Sequence, residues 1–124
     1  MNPETEQEAL IPEVTPQELA GWLQQRSDLL LLDVREPYEV PRARLTDQRV
    51  LFAPLSDLAR KHLDGLPEPV RRDRSAVLVV FCHHGIRSAQ VVRWLRELGW
   101  TAVYNLAGGI DAYARQIDPQ IGTY

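Results

Sequence analysis

The sequence predicts an α/β domain: a mostly parallel sheet of about five strands with helices on both faces. Three observations point there. Short apolar, β-branched runs alternate with amphipathic helical patterns along the chain. The two strongest runs, Leu29–Val34 and Val77–Phe81, are continuous rather than alternating, as strands covered on both faces are. Cap and turn residues punctuate the segments, from Thr15-Pro16 through Gly99 to Asp118-Pro119. Right-handed crossovers then limit the topology.

Taken in order, residues 1–10 are polar and acidic and read as a flexible arm, with the single domain over 11–124. Leu10–Val14 reads as a short edge strand, because Pro12 excludes a central place. Thr15-Pro16-Gln17-Glu18 is a helix start. Thr15 caps, Pro16 suits the first position and Glu18 completes a capping box. Val14 and Leu19 are placed for a hydrophobic staple. Leu29–Val34 is the second strand, and Asp33 and Arg35 end it. Tyr38–Leu45 holds at most one helical turn, broken at Pro41. Arg49–Phe52 is a third strand. Pro54–Leu63 contains a helix with Ser56 as its cap. Gly65–Arg74 reads as turns, with a solvated run at Arg71–Arg74. A helical pattern follows the strand Val77–Phe81, with Val91, Leu95 and Leu98 inward and Gly99 as its left-handed stop. Thr101–Tyr104 is the fifth strand, Leu106–Gly109 a tight turn, and Asp111–Gln116 the last helix.

Composition narrows the function. A chain of 124 residues, 44% apolar, suits one core. The net charge of −3 implies no general affinity for nucleic acid or anionic membranes. The longest apolar run, Ala76–Cys82, is far too short to span a bilayer. No basic, apolar leader opens the chain, and one cysteine allows no internal disulfide, so a reducing, cytoplasmic setting is expected. His62, His83 and His84 with one cysteine make no recognisable zinc set; no metal and no cofactor is expected.

The chemistry concentrates at Cys82-His83-His84-Gly85-Ile86-Arg87-Ser88. Cys82 stands at the carboxyl end of a strand and just before a helix N-terminus. Unpartnered N–H groups and the helix dipole favour a thiolate there and would bind an oxyanion above it. Gly85 lets the loop curl without a Cβ. Arg87 adds a planar, fixed charge suited to a sulfonate or phosphate. Ser88 either donates toward the sulfur or serves the helix start. His83 and His84 act as general bases or through their backbone N–H groups, the second being favoured because the thiolate is already stabilised there. Asp33 and Arg35 lie on the same rim, most simply as a bracing salt bridge.

Three stretches together resemble a single-domain rhodanese: Leu32-Asp-Val-Arg-Glu-Pro37, the loop Cys82–Ser88, and Asn105-Leu-Ala-Gly-Gly-Ile110. The tail Ile117–Tyr124 is similar to the ending of rhodanese domains that carry sulfur. Pro41–Leu45 departs from the Gly-His-Ile-Pro-Gly-Ala type segment of many members. The resemblance implies a rhodanese-like fold and sulfurtransferase chemistry through a Cys82 persulfide. Residues 83–88 would then bind a small anionic donor such as thiosulfate, and a thiol or cyanide would accept the sulfur. A sulfur-donating or sulfur-accepting protein is the alternative partner, with the chain as a persulfide carrier. Phosphatases and arsenate reductases on this fold place arginine six positions after the cysteine, where this chain has Ser88.

Overall fold

The computed structural model describes residues 11–124. The expected arm at 1–10 lies outside the described residues. Strands β1 (Glu13–Val14), β2 (Leu30–Asp33), β3 (Val50–Phe52), β4 (Leu78–Phe81) and β5 (Val103–Leu106) form one sheet in the order β1-β5-β4-β2-β3. Every neighbouring pair is parallel. The helices are α1 (Pro16–Gln25), α2 (Leu55–Lys61), α3 (Glu68–Arg71), α4 (Ile86–Glu97) and α5 (Gly109–Gln116). Among the described residues no helix is long and apolar enough to cross a membrane.

Alternate residues of the central strands face opposite layers. Leu32, Leu78 and Val80 pack with Leu58, Val70, Val91, Leu95 and Trp100, from or beside α2, α3 and α4. Leu31, Val79 and Phe81 pack with Leu19, Ile110 and Tyr113 of α1 and α5. Helices thus cover both faces, which explains why β4, and β2 up to Asp33 at its end, are continuous apolar runs. The α1 start is as expected: Thr15 Oγ1 accepts from Glu18 N–H, Glu18 Oε1 accepts from Thr15 N–H, and Val14 and Leu19 share one core cluster.

Several local expectations are corrected. Pro41 does not break a turn; it occupies the first turn of a 3-10 segment, Val40–Arg42, where its missing N–H is not needed. Ser56 is not the α2 cap, because the helix has already begun at Leu55 after Pro54, and Ser56 Oγ instead donates to Glu36 Oε1. The segment expected to be turn-rich holds α3, opened by Pro67 and Pro69 and anchored by buried Val70. Helix α4 starts at Ile86, inside the expected loop, and Ser88 and Val92 take inward positions while Leu98 is 39% exposed. Strand β5 runs to Leu106 rather than stopping at Tyr104, because Val80 sets Asn105 in register. The tight turn shortens accordingly, and α5 begins at Gly109.

Candidate active site

All strands being parallel, their carboxyl ends share one rim. Asp33 is in register with Phe81, so the residues after β2 and β4 emerge side by side. Cys82 follows β4 and is 1% exposed. Its Sγ accepts from the backbone N–H of Gly85 at 3.2 Å and of Ser88 at 3.4 Å. The chain must turn sharply to bring both donors to one sulfur. Gly85 makes that turn at φ 101°, with its open side against the Leu106 carbonyl and the Gly108 N–H. Gly109, at φ 66°, lies so close to the His83 and Cys82 carbonyls that a Cβ would collide with them. The start of α5 is bound to the same backbone: Ile110 N–H donates to the Cys82 carbonyl at 2.9 Å, and Asp111 N–H to the His83 carbonyl at 3.1 Å.

Asn105 defines what Ser88 does. Its Nδ2 donates to the Gly85 carbonyl and to Glu13 Oε2, both at 3.1 Å, which fixes the amide orientation. Its Oδ1 must then accept, and Ser88 Oγ lies 2.6 Å away. The Ser88 hydroxyl proton is committed there. At 3.3 Å from Cys82 Sγ, Ser88 Oγ is left as an acceptor for the thiol proton, while the Ser88 N–H donates to sulfur. Both expectations for the Ser88 side chain are corrected: its hydroxyl donates to Asn105 rather than to the sulfur, and α4 is opened by Gly85 without a side-chain cap, so it is the Ser88 backbone N–H that donates to Sγ. Asn105 itself stood in the sequence as part of a turn motif and carried no sign of this role.

Asp33 and Arg35 form the expected brace. Arg35 Nη2 sits 2.8 Å from Asp33 Oδ2, with each side chain almost fully buried. Burial opposes the Arg35 charge, but bonds to Asp33 and Tyr124 outweigh it and raise its pKa. Arg87 is placed differently from a free anion hook. Its guanidinium forks onto Glu39 at 2.7 and 2.8 Å. That pair holds Glu39 down at about 2 and raises Arg87. The Tyr124 hydroxyl donates to Glu39 Oε1 at 3.1 Å and accepts from Arg35 Nη1 at 3.2 Å. One network therefore joins β2, the turn after it, the Cys82 loop and the tail. Nothing in the sequence marks Glu39 or Tyr124 for it, since their partners lie far along the chain.

The His83 ring is sandwiched. It stacks on Tyr124 at 3.7 Å and on His84 at 3.8 Å between centroids. Burial, and next the neighbouring His84, push its pKa below the usual histidine value. His84 stays 59% exposed, with Nε2 3.8 Å from Asp111 Oδ2. Ile86 projects into solvent at 74% exposure.

This arrangement can stabilise an anionic sulfur species on Cys82 through fixed backbone donors. Known proteins are similar to this chain in sequence and in fold. The protein "Sulfurtransferase" of Allochromatium vinosum is 31% identical over 106 residues, covering 86% of this chain and 91% of that protein. The "Probable adenylyltransferase/sulfurtransferase MoeZ" of Mycobacterium tuberculosis is 33% identical over 111 residues. That match covers 90% of this chain but 26% of MoeZ, so the chain spans about a quarter of that relative. Among solved structures, a rhodanese-related protein from Thermoplasma volcanium aligns with TM-score 0.68 and 26% identity, over 86% of this chain and 93% of the other. The polysulfide-sulfur transferase homodimer of Wolinella succinogenes aligns with TM-score 0.70 and 25% identity, over 90% and 79%. The family model described as Rhodanese-like domain matches residues 15–116, nearly the whole described chain, and the protein belongs to that family.

Proposed function

We propose that this protein is a sulfurtransferase that carries a sulfane sulfur on Cys82 as a persulfide. The observation that supports this most is the pair of backbone donors, Gly85 and Ser88 N–H, converging on Cys82 Sγ. In the first half reaction the Cys82 thiolate attacks the outer sulfur of a donor such as thiosulfate. A new S–S bond forms, the donor's S–S bond breaks, and sulfite leaves with the electron pair. In the second, a thiolate or cyanide attacks the outer sulfur, the S–S bond to Cys82 breaks, and the Cys82 thiolate leaves with the electron pair. A thiol acceptor gives its proton to solvent before it attacks, so neither His83 nor His84 is required as a base.

Donor contacts come from the N–H groups of residues 83–88, with Gly85 and Ile86 contributing backbone alone. Arg87 contributes fixed positive charge behind them while its fork stays on Glu39. A protein acceptor is the second reading. It is favoured by relatives whose names join sulfur transfer to another activity in a longer chain, as in MoeZ. Steady-state kinetics with thiosulfate and cyanide test the proposal. Parallel lines in double-reciprocal plots are expected for two half reactions through one loaded enzyme. Intersecting lines contradict it. Rapid loading with poor turnover on small acceptors would assign the chain to the carrier reading.

A further inference from the structure

Among the described residues, two buried side-chain atoms lack a hydrogen-bond partner: His83 Nε2 and Asp111 Oδ1. A buried polar atom left without a partner is costly. The same two residues, with His84, bring ligand atoms of metal-binding type within 4.8 Å of one another. A missing partner and a short ligand separation are independent properties, and they coincide at this one place.

Each of the two residues offers an atom that nothing else in the fold engages. His83 Nε2 is buried and bare, and a metal-ligating imidazole needs one nitrogen free of other partners. Asp111 keeps one oxygen free in the same way. Arg115 Nε donates to its Oδ2 at 3.0 Å, which orients the carboxylate and leaves Oδ1 open. The backbone bond from Asp111 N–H to the His83 carbonyl holds the two residues in place.

We propose that His83 Nε2, Asp111 Oδ1 and His84 form a site for a divalent transition-metal ion of the zinc class, beside the Cys82 loop. Two imidazoles, one carboxylate and an open fourth position suit that ion. His84 is the mobile ligand. Stacked rings aim their lone pairs side by side, so His84 turns out of the stack to ligate. Its 59% exposure leaves it room to do so, and its Nε2 is already 3.8 Å from Asp111 Oδ2. The sequence expectation of no metal considered only histidines and the cysteine; Asp111 arrives from a helix at the far end of the chain.

The test uses the full chain carrying Cys82→Ser, which removes the thiol as a competing ligand. Cobalt(II) is titrated by its visible absorption, and zinc(II) by calorimetry and by its effect on melting. One saturable equivalent of each, with a raised melting temperature, is expected. Adding His84→Ala or Asp111→Asn should weaken binding by about tenfold or more. His84→Ala removes an exposed ring, so its outcome does not depend on refolding. Absence of saturable binding, which would leave water as the occupant, overturns the proposal. So does binding that neither substitution weakens. Neither result bears on sulfur transfer, since the Cys82→Ser chain cannot carry it.

Discussion

Arg87 and Glu39, separated by 48 positions in the sequence, face each other through two hydrogen bonds of 2.7 and 2.8 Å. Glu39 is largely buried, at 9% side-chain exposure, while Arg87 keeps 32%. The pair ties the first turn of α4 to the turn after β2. It also means that the arginine of the Cys82 loop is a brace before it is an anion contact.

Arg87→Ala should therefore lower stability as well as activity. Removing the cation leaves a buried carboxylate with only the Tyr124 hydroxyl and the Glu36 N–H. Fully buried pairs broken in this way cost about 3–5 kcal/mol, and the partial exposure of Arg87 brings the expectation to about 2 kcal/mol. Urea unfolding of both proteins checks it. An unchanged midpoint would mean that the bridge contributes nothing in solution.

The same pair has a pH signature. Glu39 is lowered from 4.5 to about 2, first by the Arg87 hydrogen bonds. A depressed carboxylate contributes stability that is present above its unfolded value and is lost as pH falls through its folded value. The stability difference between the natural chain and Glu39→Gln should thus be constant above about pH 5.5 and shrink between about 4.5 and 2. A difference that persists at the acid end would place the effect in packing rather than in charge.

Asn105→Asp should be more damaging than its size suggests. The Nδ2 that donates to the Gly85 carbonyl and Glu13 becomes an acceptor facing two acceptors. The expected loss is about 3 kcal/mol, because a buried charge is left unpaired. Sulfur loading should slow in the folded fraction, since Ser88 and Gly85 lose their fixed positions. A variant of normal stability and loading rate would remove Asn105 from the loop's support.

Much of this was legible in sequence, and the gaps have physical causes. Strands β2 and β4 showed themselves because burial on both faces leaves them continuously apolar up to Asp33 and Phe81. Cap chemistry marked α1 through Thr15 and Glu18, whose bonds are local. The Cys82 loop stood out because its spacing is itself local. Glu39, Tyr124, Asn105 and Asp111 did not, because each acquires meaning only from a partner brought by the fold. Strand β5 was placed too early because its register is set by Val80 across the ladder and not by its own apolar pattern. Helix α3 was missed because two prolines look like turn formers until their first-turn positions are known.

Gly109→Ala should disable the site while leaving the sheet intact. The added methyl meets the His83 and Cys82 carbonyls, and the φ of 66° is itself unfavourable for alanine by about 1–2 kcal/mol. Retained circular dichroism with lost sulfur loading is expected. Normal loading would show that the loop tolerates displacement.

The central claim is that Cys82 alone holds the sulfur and that its loop protects it, there being no second cysteine to discharge it. Intact mass after treatment with thiosulfate or polysulfide, followed against time once donor is removed, tests this most directly. The expected result is a single added sulfur, stable until an acceptor thiol or cyanide is supplied, absent in Cys82→Ser, and accompanied by a slightly higher melting temperature. Uptake of sulfur by Cys82→Ser, or rapid spontaneous loss from the natural chain, would contradict the account.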